Sequence, residues 1–202
     1  SKFIFESGSG SYETSNGFST SSTFLRGGSI QGSGMSLTRL VTTFAGLASN
    51  FGSTNATGTS ARFRNPAGLT TDGTNVYVAD YYNHAIRKIV ISSGEVTTLA
   101  GTVGTYGSAD GTGTGAGFKF PNSLTTDGTN IYVTDKDNHI IRKIVISTGV
   151  VTTLAGTAGT TGFSDGTGGA AKFLYPTGIT LVGNSLYVSD YFNHSIRKIV
   201  IS

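Results

Sequence analysis

The residues of this chain best suited to chemistry are its three histidines, His84, His139 and His194. Each follows an aspartate by four residues (Asp80, Asp135, Asp190) and precedes an arginine by three (Arg87, Arg142, Arg197). Two chemistries fit those residue types: three imidazoles can hold a divalent ion, and an Asp–His pair can move a proton. Both need convergence, since zinc ligands sit about 2.1 Å from one shared ion. The spacing argues against convergence. The histidines belong to three copies of Asn-His-x-Ile-Arg-Lys-Ile that start at Asn83, Asn138 and Asn193, 55 residues apart. A residue that recurs once per repeat at such a period first of all shapes the repeat.

The sequence therefore assigns Asp80, Asn83, His84, Arg87, Asp135, Asn138, His139, Arg142, Asp190, Asn193, His194 and Arg197 to the structure of the repeat. In this reading the aspartate caps a turn through backbone N–H groups and meets the arginine, while the histidine buttresses its hairpin. No catalytic residue, metal ligand or cofactor is assigned. The loops carrying Asp110-Gly111-Thr112-Gly113 and Asp165-Gly166-Thr167-Gly168 offer one carboxylate each. That is too few oxygens to make a Ca²⁺ site the preferred reading over a glycine-rich turn.

Other landmarks keep the same register. Val-Thr-Thr-x-Ala-Gly begins at Val41, Val96 and Val151, and a phenylalanine (Phe63, Phe118, Phe173) precedes each proline (Pro66, Pro121, Pro176) by three residues. Between landmarks the punctuation is that of β structure. Gly68–Thr71 leads into the turn cluster Asp72-Gly73-Thr74-Asn75, then Val76–Ala79. The β-branched run Ile86–Ile91 and, past Ser92-Ser93-Gly94, Val96–Leu99 complete four short strands. The second and third strands are apolar on both faces, as in a sheet covered on both sides by neighbouring blades.

Asn-His-x-Ile-Arg, preceded by Tyr-Val-x-Asp at Tyr77, Tyr132 and Tyr187 and by the proline-headed first strand, resembles the NHL-repeat propellers over about 41–202. The period is longer than is usual there, because a Gly/Thr-rich loop follows the fourth strand. The resemblance implies an all-β fold of propeller blades, each of four antiparallel strands. Some relatives are lyases or hydrolases with metal ligands on the propeller axis. The first strands here offer Leu69-Thr70-Thr71, Leu124-Thr125-Thr126 and Ile179-Thr180-Leu181, with no carboxylate, histidine or lysine, so the metal-dependent reading ranks last.

Counting strands gives three blade equivalents, with repeat units at 66–120, 121–175 and 176–202, the last lacking a fourth strand that 41–65 would supply. Three blades are too few for a ring, since propellers have about 4–8. Three arrangements remain open: half of a six-bladed ring closed by two chains, an open array, or part of a longer propeller. In the first two, the residues assigned to self-association are Val41, Thr42, Thr43 and Phe44, the edge residues Ile196, Ile199 and Ile201, and Phe3 and Phe5 of an N-terminal arm. The arm, 1–36, is Gly/Ser-rich linker composition and either flexible or strand-donating; the repeat domain is 37–202.

Charged residues make up only 12% of the chain, and of the fourteen basic residues behind the net charge of +3, six are the repeat's own Arg-Lys pairs. No polybasic stripe with interleaved aromatics suggests nucleic acid, and no apolar run is long enough to span a membrane. The absence of cysteine excludes disulfides and Cys-ligated metal. The low-charge Gly/Ser/Thr/Asn composition suits a secreted or cell-surface bacterial protein. The function expected is a non-enzymatic, extracellular, self-associating scaffold, possible as a filament subunit whose partner is itself. The alternative is a propeller that binds a protein or glycan through its Gly/Thr-rich loops.

Overall fold

A computed structural model describes residues 12–13, 19–20 and 40–201. The chain forms two compact units, Ser1–Thr42 and Thr43–Ser202. In the first, β1 (Tyr12–Glu13) and β2 (Ser19–Thr20) pair antiparallel. Phe3 and Phe5 of the arm lie outside the described residues.

The second unit is a row of three antiparallel blades. The first contains β3 (Pro66–Thr71), β4 (Asn75–Asp80), β5 (Ala85–Val90) and β6 (Val96–Ala100) in that spatial order. The second contains β7 (Gly111–Thr112), β8 (Pro121–Thr126), β9 (Asn130–Asp135), β10 (Ile140–Val145) and β11 (Val150–Ala155), ordered β7-β11-β10-β9-β8. The third has three strands, β12 (Pro176–Val182), β13 (Ser185–Asp190) and β14 (Ser195–Val200). β8 packs between β3 and β12, so these are the inner strands of the row.

Local chemistry sets each hairpin. Asp72 Oδ1 accepts from the N–H groups of Thr74 (2.8 Å) and Asn75 (2.7 Å), and the Tyr77 hydroxyl donates to Oδ2 (2.7 Å). Between β4 and β5 a single 3₁₀ turn, Tyr81–Asn83, ends on His84, whose φ of 55° lets the chain reverse into β5. A proline begins each inner strand, where its missing N–H costs no ladder bond.

The cores lie between blades. Tyr77, Ala79 and Ile86 of the first pack with Leu124, Ile131, Val133 and Ile144 of the second, and Phe118 from the intervening loop completes this layer. Tyr132, Ile141 and Ala155 meet Phe173, Ile179, Leu186 and Val188 across the next junction. Apolar residues on both faces of a strand are thus accounted for, because every central face meets a neighbour.

Two features differ from expectation. The long loop after each fourth strand is not a free surface loop but wraps the outside of the following blade. There Gly111–Thr112 adds a short fifth strand against Val150–Val151, and Thr57 bridges Glu95 equivalently in the first blade. The strand expected at 41–46 is not formed: 40–44 lie in no strand, and Ala45–Gly46 bend. An extended segment becomes a strand only when a neighbouring strand satisfies its N–H and C=O groups. No described strand is available to it.

Candidate functional site

The aspartate, asparagine and arginine of each repeat form one cluster, buried in the first two blades and part-buried at Asn193 in the third. In the second blade Asp135 Oδ1 accepts from the Lys119 N–H (2.7 Å), and Oδ2 from Asn138 Nδ2 (2.8 Å) and Arg142 Nη1 (3.2 Å). Arg142 also donates to the carbonyls of Gly117 (2.7 Å) and Ala109 (3.0 Å) and to Asp110 Oδ1 (3.0 Å), with its guanidinium 5.1 Å from the Phe118 ring centroid. Asp80–Asn83–Arg87 and Asp190–Asn193–Arg197 repeat the pattern at 2.8 and 3.0 Å for the ion pairs. The aspartate does not cap its own turn, as the sequence suggested; it holds the loop residue sixteen positions earlier, namely Arg64, Lys119 or Leu174. Asp110 and Asp165 are engaged by arginine. The cluster thus clasps the long loop to the blade.

Burial pushes Asp135 up from 3.8 to about 6, against the opposing pull of Asn138, the Lys119 N–H and Arg142. Asp80 is raised for the same reason.

The histidines do not converge, and they serve the next blade rather than their own hairpin. His84 Nδ1 accepts from the Phe120 N–H (3.2 Å) and His139 Nδ1 from the Tyr175 N–H (3.1 Å), each residue immediately preceding the next blade's proline. An accepting Nδ1 belongs to a neutral imidazole protonated on Nε2. Burial lowers both histidines below 6.5 and favours that form.

The third blade holds an open slot. In the second blade β11 lies between β10 and β7. The matching space in the third, between β14 and Gly166–Thr167, is a groove of about 680 Å³ whose floor and walls include Leu154, Asp165, Phe173, Ile196 and Ile199. Ile196 and Val200 are exposed, while Ile199 and Ile201 are half-buried against the neighbouring core. At the other end of the row, Val41 and Phe44 are exposed, and the Gly46 N–H donates to Gly58 O at 3.1 Å. That bond is repeated by Gly101 to Gly113 and by Gly156 to Gly168, both 3.1 Å, where a fourth strand leaves its blade. Gly46 therefore meets the loop of the first blade as Gly101 meets that of the second.

Residues 63–89 match the profile of the NHL repeat. That stretch is one NHL repeat, and its landmarks recur 55 and 110 residues further on. A human relative, NHL repeat-containing protein 2, is 34% identical over 108 residues, which is 52% of this chain and 15% of that protein. The chain spans only about 14–15% of the length of the curated relatives it matches. Among solved structures, a Bacteroides thetaiotaomicron protein of unknown function aligns with a TM-score of 0.66 at 26% identity, covering 81% of this chain and 40% of that one. An auxiliary nutrient binding protein from Bacteroides ovatus aligns at 0.59 and 25% identity, covering 70% and 38%. The all-β blade architecture is that of these propeller-like neighbours.

Two groups named in the sequence had their roles left open: Asp165, Gly166 and Phe173 as features of the repeat, and the turn aromatics Tyr81, Tyr82, Tyr191 and Phe192, which could equally anchor an interface or pack on the adjacent blade. The first lines the slot: Leu154, Asp165, Gly166 and Phe173 sit 55 residues beyond Leu99, Asp110, Gly111 and Phe118, so the period carried the signal. The second is the rim of aromatic residues around the 3₁₀ turns. Tyr81 and Tyr82 pack on Phe120 at 4.9 and 5.5 Å between centroids, Phe192 packs on Tyr175 at 5.3 Å, and Lys136 Nζ reaches the Tyr81 hydroxyl at 3.0 Å. Packing on the adjacent blade thus accounts for Tyr81, whereas Phe192 packs on Tyr175 at the start of its own blade and Tyr191 remains exposed. Among the described residues, no helix is long and apolar enough to cross a membrane.

Proposed function

We propose that this chain is a non-enzymatic NHL-repeat propeller scaffold that associates with further copies of itself, residues 41–45 of one copy completing the third blade of another. The observation that carries this reading is the slot beside β14. Its walls are the counterparts of the residues that enclose β11, and Val41-Thr42-Thr43-Phe44-Ala45 differs from Val96–Ala100 and Val151–Ala155 only in Phe for Leu. Antiparallel pairing with β14 would satisfy the N–H and C=O groups of an edge that is otherwise a template for unspecific pairing. Ile196 and Val200 would be covered at the same time. The Leu/Ile/Thr composition of the inner strands supports a non-enzymatic role. The low-charge surface and the Bacteroides nutrient-binding neighbour support a bacterial, extracellular setting.

The test is the mass of the chain in solution by light scattering, with negative-stain microscopy, before and after deletion of residues 1–46. The expected result is a ring-like dimer or a filament for the full chain and loss of that species on deletion. Association that survives the deletion refutes strand donation.

A second reading has its own support: Tyr106 and Phe163 stand exposed on the Gly/Thr-rich loops. Binding of a protein or glycan there would be lost in a Tyr106→Ala/Phe163→Ala variant without change in oligomeric state.

A further inference from the structure

Beyond the edge of β14, the faces of the two end blades carry a second set of matched residues. At both internal junctions the earlier blade contributes a tyrosine and an isoleucine that are essentially buried: Tyr77 and Ile86, then Tyr132 and Ile141. Their counterparts on the third blade are Tyr187, 37% exposed, and Ile196, 71% exposed. The later blade contributes Leu124 (4%) at the first junction and Ile179 (8%) at the second, whereas the counterpart on the first blade, Leu69, is 68% exposed. Phe63 and Val76 are likewise only half-buried where Phe118 and Ile131, or Phe173 and Leu186, are enclosed.

Polar groups show the same pairing. His84 and His139 accept from the residue before the next proline. Among the described residues, His194 Nδ1 and the Asn65 N–H, the two groups left over by that rule, have no partner. Thr134 Oγ1, on the second blade, contacts the Thr177 carbonyl on the third at 2.7 Å. The counterpart pair is Ser189 and Ala67. A Cβ at Gly68 would come within 2.7 Å of the Ser123 Cα of the next inner strand, while one at Gly178 would meet only Ser189.

We infer that these two end faces are the halves of one blade-to-blade interface, and that the partner on each is a second copy of this chain. Tyr187, Ile196, His194 and Ser189 of one copy meet Leu69, Phe63, Asn65 and Ala67 of the next. The inference rests on the self-association reading but on a different surface, the faces of the end sheets rather than the β14 edge. What commits it to a second copy is continuity with an interface already formed twice inside the chain by the same positions, with matching residue classes at Tyr187, Ile196, His194, Phe63 and Leu69, although Asn65 and Ala67 replace Phe120/Tyr175 and Asn122/Thr177. The contact is head-to-tail. Two copies give six blades, within the range of closed propellers, and a rotation that does not close gives a filament.

The test uses the full chain with Leu69→Asp on one sample and Ile196→Asp on another. Both positions are exposed in the single chain, so each variant should keep the wild-type fold by circular dichroism. Each alone is expected to self-associate at least about 30-fold more weakly, the loss typical of a central interface residue. Mixing them restores one undamaged face pair and should give a 1:1 dimer. Gly178→Gln, which leaves the apolar core untouched, serves as the second variant of the third blade and should behave like Ile196→Asp. A monodisperse monomer of the wild-type chain overturns the inference, as does wild-type association of both Asp variants, or a mixture that stays monomeric. If the Asp variants associate normally while deletion of 1–46 gives monomers, the face pairing falls and strand donation stands. If the deletion still associates and the Asp variants do not, the reverse holds.

Discussion

Replacing Arg142 with Met should be among the most destabilising single changes in this chain, and the structure sets its size. The guanidinium is fully buried, and so is its partner Asp135. Removal strands that carboxylate with two remaining donors, the Lys119 N–H and Asn138 Nδ2, leaves the Gly117 carbonyl without its donor, and leaves the Ala109 carbonyl only the Gly117 N–H. Loss of one partner from a buried pair costs about 3–5 kcal/mol. For a domain of this length that corresponds to a melting temperature lower by roughly 6–20 °C. The same change at Arg197 is an internal control. There the second carboxylate, Asp165, is 90% exposed and the guanidinium partly open to water, so the loss should be about 2 kcal/mol. The pH dependence follows from Asp135, whose folded-state value is raised to about 6 from 3.8. A raised carboxylate binds protons more readily in the folded state, so stability present below 3.8 is lost as pH rises through about 6. Without Arg142 that loss steepens, and the deficit of the variant should be larger at pH 8 than at pH 5. Urea unfolding followed by tyrosine fluorescence suits a chain with nine tyrosines and no tryptophan. Stability of Arg142→Met within about 1 kcal/mol of wild type, or a larger loss at Arg197, would refute the reasoning.

Three further outcomes are expected. Burial holds His84 and His139 below 6.5, so the stability they contribute is present above 6.5 and lost as pH falls through their folded-state values; His84→Ala/His139→Ala should flatten that part of the urea-midpoint profile against pH. Gly68→Ala forces a Cβ onto the backbone of Asn122 and Ser123 and should cost about 1–3 kcal/mol by thermal unfolding, whereas Gly178→Ala displaces only the Ser189 hydroxyl, which bonds the Gly178 N–H and Thr177, and should cost less, about 1 kcal/mol. Asp127, drawn down to about 2 because hydrogen bonds from Asn130, Thr129 and Tyr132 outweigh its burial, gives stability present above 3.8 and lost as pH falls towards 2; Asp127→Asn should remove that acid sensitivity and cost about 1 kcal/mol at pH 7.

Much of the fold was legible because the repeat supplies its own alignment. Pro66, Pro121 and Pro176 open the inner strands, Asp72-Gly73 and Asp127-Gly128 make the first turns, and the apolar runs at Ile86 and Ile141 become central strands. The roles within the motif were less legible. Asp80 was expected on its own turn and instead holds Arg64 of the preceding loop, and His84 reaches Phe120 of the following blade. Both partners are backbone N–H groups, which every residue but proline carries. A side chain's type reveals what it can bond, not which distant amide comes near it.

The sequence by itself determined that this protein is a row of like blades, because a fixed period of strands and turns leaves little other way to bury faces that are apolar on both sides. It also set the three histidines one repeat apart, each at the head of the third strand of its own blade. Only the tertiary structure decided which faces stay open. Leu69 and Leu124, or Ile141 and Ile196, are the same kind of residue in the same motif, yet one of each pair is enclosed and the other faces water. Burial depends on the neighbour rather than the residue, and the neighbour is set by where a blade falls in the row.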